Sequence, residues 1–153
     1  MDHLDSRLLE LLQQDCSRSL GELGKLVGLS TSGVKDRLRR LRARGDLRAY
    51  VALINPASAG YTVCAFLQID VEGRTNEQTF ARSVLRLAEV EECHRVTGEF
   101  LYLLKIWARD IEDLNLLVEQ KIKALAGVVR TRTLVVLSSP KEHVTGLAIR
   151  RAK

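Results

Sequence analysis

Cysteine is scarce in this 153-residue chain. Cys16, Cys64 and Cys93 are odd in number and widely spaced, which argues against a disulfide framework and for a reducing compartment, the cytoplasm. No window approaches the apolar run that a membrane span requires, so no membrane partner is expected. The first residues, Met1-Asp2-His3-Leu4-Asp5, are acidic where a signal peptide has a basic start and an apolar core. His3, His94 and His143 lie far apart, and none stands at metal-ligand spacing from a cysteine. Cys93-His94 is the one suggestive neighbour pair. It falls in a segment that reads as a strand, where adjacent side chains point to opposite faces. Cys93 is therefore expected to be a small buried residue rather than a redox group. These absences leave no catalytic constellation, and neither a cofactor nor a metal is expected.

Net charge is also lacking, except in one place. Lys35 to Arg48 holds seven basic residues and two acidic ones, Asp36 and Asp46, for a net of +5. The whole chain is +5 as well, so everything outside this stretch sums to zero. An anionic partner is expected here. Ser30 to Gly45 reads as one helix, with Ser30 as N-cap, Val34, Leu38 and Leu41 on one face, and Gly45 as the left-handed closing residue. Turning those apolar residues inward leaves Ser32, Asp36, Arg39, Arg40 and Ala43 outward, with Lys35, Arg42 and Arg44 on the flanks. Asp36 and Arg40, at i and i+4, read as an ordinary surface pair.

Two helices precede it. Asp2 to Gln14 carries Leu4, Leu8, Leu11 and Leu12 on one face, with Asp2 as cap. Ser19 and Glu22 form a capping-box pattern opening a short helix that stops at Gly28. Three helices with a Gly28-Leu29-Ser30 turn before the basic one give helix-turn-helix geometry. Thr31, Ser32 and Gly33 are small enough to let the helix start approach a groove of double-stranded DNA.

The period changes after Gly45. Leu47 to Ile54 alternates loosely as a strand, and Asn55-Pro56 with Gly60 marks a boundary. Tyr61 to Val71 reads as a strand and Glu72 to Asn76 as a turn. Phe80, Val84 and Leu87 form a helical stripe. Val90 to Val96 and Tyr102 to Ala108 read as strands joined at Thr97-Gly98-Glu99. Asp110 caps a helix with Ile111, Leu114, Leu117, Val118, Ile122 and Leu125 inward, and Val128 to Leu137 is the last strand. That order is βαββαβ, a ferredoxin-like sheet with both helices on one face. Phe66 and Trp107 add apolar residues on the other face, which is expected to be covered by a second copy. The class is α+β: a helix-turn-helix (winged-helix-like) domain over 1–52, a hinge strand over 53–61 and a ferredoxin-like domain over 62–153.

Ordered markers along this chain carry a resemblance. They are Asp2 and Asp5 before Leu8-Leu9, Gly28-Leu29-Ser30, Val34 with Arg37 and Leu41, and Gly45 before Leu47. Further on come Gly60-Tyr61, Val90 with Cys93, Val96-Thr97-Gly98 before Tyr102-Leu103-Leu104-Lys105, and Val128 with Thr131 and Thr133. Over nearly its whole length the chain resembles the Lrp/AsnC, or feast/famine, family of transcription regulators. The resemblance implies a winged or plain helix-turn-helix, a hinge, and a ligand-sensing and oligomerisation (RAM-type) domain. It also implies dimers that assemble further, commonly to octamers, and an amino-acid effector near the turn Thr97–Tyr102, with Thr131 and Thr133 lining the same region. The expected effector set is Thr97, Gly98, Glu99, Phe100, Leu101, Tyr102, Thr131 and Thr133.

The family's usual Asp-Tyr-Asp-Tyr after this glycine is here Glu99-Phe100-Leu101-Tyr102. Leu101 cannot replace an aspartate as partner for an ammonium group. Glu99 can if it turns inward; otherwise the effector is less polar or the site is vestigial. Backbone N–H groups around Gly98 remain able to receive a carboxylate. On DNA, Ser32, Asp36, Arg39 and Arg40 are expected nearest base edges and Lys35, Arg42, Arg44 and Arg48 nearest phosphates, with Thr31 at the entry end. The alternative is an enzyme resembling siroheme decarboxylases, which look similar to this family in fold; the basic helix argues against it.

Overall fold

The computed structural model describes residues 2–142, so His143 and the end of the expected second domain lie outside the described residues. Met1–Ala52 and Leu53–Pro140 fall into separate compact units. In the first, Asp2 caps α1 (His3–Gln14) by accepting from the Asp5 N–H at 2.8 Å. Helix α2 (Leu20–Val27) begins with a complete capping box: the Ser19 N–H donates to Glu22 at 2.7 Å, and the Glu22 N–H to the Ser19 hydroxyl at 3.2 Å. Gly28, at φ 71°, closes it. Ser30 caps α3 (Thr31–Ala43) through the Gly33 N–H.

Leu8, Leu11, Leu12, Leu23, Val34, Leu38 and Leu41 form the core of this unit. Burying each such side chain contributes roughly 1.5–3 kcal/mol. Gly24 lets the turn pack onto α2, because a Cβ there would stand 2.5 Å from the Leu29 carbonyl oxygen. The result is a three-helix helix-turn-helix.

The strand expected over Leu47 to Ile54 is not formed: residues 48–55 carry no regular structure, and Tyr50, Val51, Leu53 and Ile54 are 43–68% exposed. Alternation alone does not make a strand; a neighbouring ladder must accept its N–H groups. A 3-10 turn (Pro56–Ala59) follows, capped by Asn55.

The second unit has β1 (Val63–Val71), α4 (Arg74–Val84), β2 (Val90–Arg95), β3 (Tyr102–Ala108), α5 (Ile111–Leu116) and β4 (Val128–Val135). The helix α4 thus starts inside the segment expected to be a turn. The sheet is antiparallel throughout, in the order β2-β3-β1-β4. Ala65, Leu67, Ile69, Leu104 and Ile106 face Phe80 and Val84 of α4 and Leu114 of α5, so both helices cover one face. Past α5 the chain widens into a π turn (Leu117–Ile122), with the Lys123 N–H donating to Val118 at 2.9 Å. This sets Leu117, Val118 and Ile122 inward, whereas Ile111, expected inward, is 59% exposed.

The opposite face is built from Cys64, Phe66, Gln68, Leu103, Lys105, Trp107 and Leu134, placed there by register with one another. Near its edge, Glu91 accepts from the Trp107 indole at 2.7 Å and pairs with Lys105 at 3.1 Å.

Candidate nucleic-acid interface and sensing loop

Helix α3 separates its residues by face. Val34, Leu38 and Leu41 are 0–7% exposed, whereas Thr31, Ser32, Lys35, Asp36, Arg39, Arg40, Arg42 and Arg44 are all exposed. The residues expected to meet DNA are thus all solvent-accessible, seven of them on α3 and Arg44 at its C-cap. Their electrostatic surroundings differ. Lys35, Arg40 and Arg48 form no ion pair within the described residues. Arg42 lies over the Tyr50 ring at 6.0 Å, and burial pushes the Tyr50 hydroxyl up from its ordinary pKa. Asp36 pairs with Arg39 at 3.1 Å, not with the expected Arg40. Both spacings lie on one helical face, and the pair is too exposed to contribute more than about 0–1 kcal/mol.

A network that sequence reading missed ties α3 to α1. Arg37 donates to Asp2 and, at 2.8 Å, to Oδ1 of Asp5. Arg44 donates to Oδ2 of Asp5 at 3.0 Å and to Asp46 at 2.8 Å. The Asp5 side chain is only 8% exposed. Burial pushes its carboxyl up, but the hydrogen bonds from Arg37 and Arg44 outweigh that and leave it below the usual carboxylate range. Asp2 is also lowered, first by the Asp5 N–H and then by Arg37.

In the second unit, the turn between β2 and β3 is closed by the Val96 N–H donating to the Leu101 carbonyl at 3.0 Å, with Gly98 at φ 124°. The Leu101 N–H donates to Ile69 and to the Asp70 carboxylate, at 3.2 and 3.0 Å. Arg130 of β4 then gathers the turn. It donates to Asp70 at 2.9 and 2.6 Å and to the Glu99 carboxylate and carbonyl, each at 3.0 Å. Its guanidinium lies 4.2 Å from the centre of the Phe100 ring.

The expected effector residues separate around this latch. Thr97, Gly98 and Glu99 are exposed; Phe100 and Tyr102 are buried, the latter against Phe80 with ring centres 4.9 Å apart. Leu101 packs on the sheet core. Thr131 and Thr133 stand opposite Ile69 and Leu67 on the helix-covered face, whereas Arg130 stands opposite Asp70 on the other. Neither Asp70 nor Arg130 had a sequence signal, because the two are 60 residues apart and meet only through the register of β1 with β4.

Cys93 pairs with Leu104 and His94 with Leu103, so their side chains take opposite faces. Burial raises the Cys93 thiol pKa. Among the described residues no cluster of His, Cys, Asp and Glu could hold a metal ion, and no helix is long and apolar enough to cross a membrane.

A basic helix presented by a helix-turn-helix, followed by a separate α+β sheet unit, defines the class as DNA-binding regulators. Comparison with known proteins agrees. Residues 1–42 match the model of the AsnC-type helix-turn-helix domain, and residues 64–145 that of the Lrp/AsnC ligand binding domain. A proline dehydrogenase transcriptional activator of Rhizobium radiobacter is 36% identical over 93% of this chain and 92% of its own. The leucine-responsive regulatory protein of Escherichia coli K12 is 35% identical over 93% and 88%. Among solved structures, a Neisseria meningitidis transcriptional regulator in complex with L-methionine has a TM-score of 0.91 at 29% identity, covering 96% of both chains. A feast or famine regulatory protein of M. tuberculosis complexed with L-methionine has a TM-score of 0.88 at 32% identity, covering 95% of this chain and 97% of its own. The chain belongs to the Lrp/AsnC family: it is a DNA-binding transcriptional regulator of that type.

Proposed function

We propose that α3 docks in the major groove, with Ser32, Asp36, Arg39 and Arg40 nearest base edges and Lys35, Arg42 and Arg48 nearest phosphates. The exposure of Lys35 and Arg40 without carboxylate partners carries this reading. Arginine suits guanine, and an aspartate accepts from cytosine. Thr31 stands at the entry end. The chain works in the cytoplasm as a homodimer that assembles further, up to an octamer, so that two or more α3 helices meet successive half-sites. Phe66, Leu103 and Trp107, on the sheet face that no helix of the described residues covers, support this. The combined variant Arg39→Ala/Arg40→Ala is expected to lose selective binding to an operator recovered from a random duplex library. Retained binding would show that another face reads the DNA.

A small-molecule effector at the Thr97–Tyr102 turn sets the assembly state and thereby the DNA-bound form. The relatives crystallised with L-methionine make an amino acid the first candidate. The latch adds a constraint: an ammonium group at Glu99 competes with Arg130, and a ligand carboxylate at Arg130 competes with Glu99 and Asp70. Sedimentation with a panel of amino acids is expected to show a shift for at least one, with matching heat in calorimetry. A panel giving neither would remove amino-acid sensing. The protein is a regulator and not a siroheme-decarboxylase-like enzyme, so an added tetrapyrrole is expected to leave its absorbance spectrum unchanged.

A further inference from the structure

The seven cations of Lys35 to Arg48 are equivalent in the sequence but not in the structure. Lys35, Arg40 and Arg48 are exposed and form no ion pair among the described residues. Arg42 rests on Tyr50, and Arg39 is neutralised by Asp36. The remaining two, Arg37 and Arg44, are bound into the Asp2, Asp5 and Asp46 cluster. Three carboxylates against two guanidiniums give that cluster a charge of −1. It repels a phosphate rather than attracting one.

The geometry is that of an anchor. Arg37 and Arg44 are seven residues apart, about two helical turns, and so share one stripe of α3. They converge on opposite oxygens of one buried carboxylate, Oδ1 for Arg37 and Oδ2 for Arg44. If α3 slid along its axis or rolled against α1, one of these bonds would break. Asp46 holds the second edge of the Arg44 guanidinium, through Nε, just beyond the end of the helix. Charge-assisted bonds of this kind are roughly twice as strong as neutral ones. A phosphate would have to compete with both carboxylates for Arg44.

We infer that Arg44 is a positioning residue for α3, withheld from DNA by Asp5 and Asp46, and that Asp5 thereby favours selective over indiscriminate DNA binding. The inference rests on α3 being the recognition helix. Its test uses the full chain, a mixed-sequence duplex and an operator selected from a random library, with affinity followed against salt. Each phosphate contact contributes about 0.9 to the slope of log K against log salt. Lys35→Ala is expected to flatten the slope on the mixed duplex by about that amount. Arg44→Ala is expected to leave the slope unchanged while lowering the ratio of operator to mixed-duplex affinity several-fold. Asp5→Asn is expected to steepen the slope and lower the same ratio, and the steepening should vanish in Asp5→Asn/Arg44→Ala. General loosening of the fold would weaken binding to both duplexes and steepen neither.

If Asp5→Asn does not fold by circular dichroism, Asp46→Asn replaces it, since it loosens the same guanidinium from an exposed position. An Arg44→Ala slope as flat as that of Lys35→Ala would overturn the inference and return Arg44 to the phosphate contacts. Salt-dependent binding by the wild-type chain with no effect of Lys35→Ala would instead overturn the reading of α3.

Discussion

Asp5 shows how one side chain can make a small helical unit sensitive to acid. Its carboxyl is held below its ordinary pKa in the folded state, as is that of Asp2. A group depressed on folding stabilises the native state above its unfolded pKa, about 3.9 for aspartate. That contribution is lost as pH falls through the lower folded value. Urea midpoints of the wild-type chain are therefore expected to be flat near neutrality and to drop below about pH 4. Asp5→Asn should be less stable at neutral pH, and the two curves should converge in acid, where protonated Asp5 resembles the amide. Parallel curves down to low pH would show that Asp5 contributes nothing through its charge. None of this network was visible beforehand. Asp2 read as the cap of α1 and Asp5 as one more acid at its start, and Arg44 lies 39 residues from Asp5.

At the scale of elements, legibility followed the range of the interactions that fix each one. The helices of the first unit carry their own punctuation: Asp2, the Ser19–Glu22 box, Gly28 and Ser30 all make the local bonds their residue types promise. The segment Leu47 to Ile54 failed because a strand is defined by a neighbour and not by alternation. The π turn was invisible because Leu114, Leu117, Val118 and Ile122 are spaced as in any α-helix. The candidate DNA face was readable from one helix, whereas the candidate sensing loop is held by Asp70 and Arg130 from two other strands.

The α2 end of the turn offers a contrast of magnitudes. Ser19→Ala removes a cap and is expected to cost about 0.5–2 kcal/mol. Alanine is favoured over glycine in a helix by about 1 kcal/mol, so propensity alone would make Gly24→Ala stabilising. The added Cβ, however, would sit 2.5 Å from a backbone oxygen that cannot rotate away. Gly24→Ala is expected to lower the urea midpoint more than Ser19→Ala. A raised midpoint would mean that the turn can retreat from α2.

For the whole molecule, the two units answer different questions. The charge lies in the first, and in the second no helix of the described residues covers one face of the sheet. Leu134 stands opposite Phe66 on that face and is 43% exposed, so a charge there is tolerated by a single chain. Leu134→Glu is expected to leave the circular dichroism spectrum unchanged and to lower the sedimentation coefficient towards that of a smaller species. Unchanged sedimentation would show that copies meet elsewhere.

The rims of that sheet have their own consequence. β2 and β4 are the outer strands, and an outer strand offers unpaired backbone groups to any extended chain that passes. Here β2 is short, kinked by its register shift between Val90 and Glu92, and carries Glu91, Glu92, His94 and Arg95. β4 brings Arg130 and Arg132 to the other rim. Adding a strand at either rim would desolvate these charges. Charged rims of this kind guard the sheet against edge-to-edge growth into fibrils.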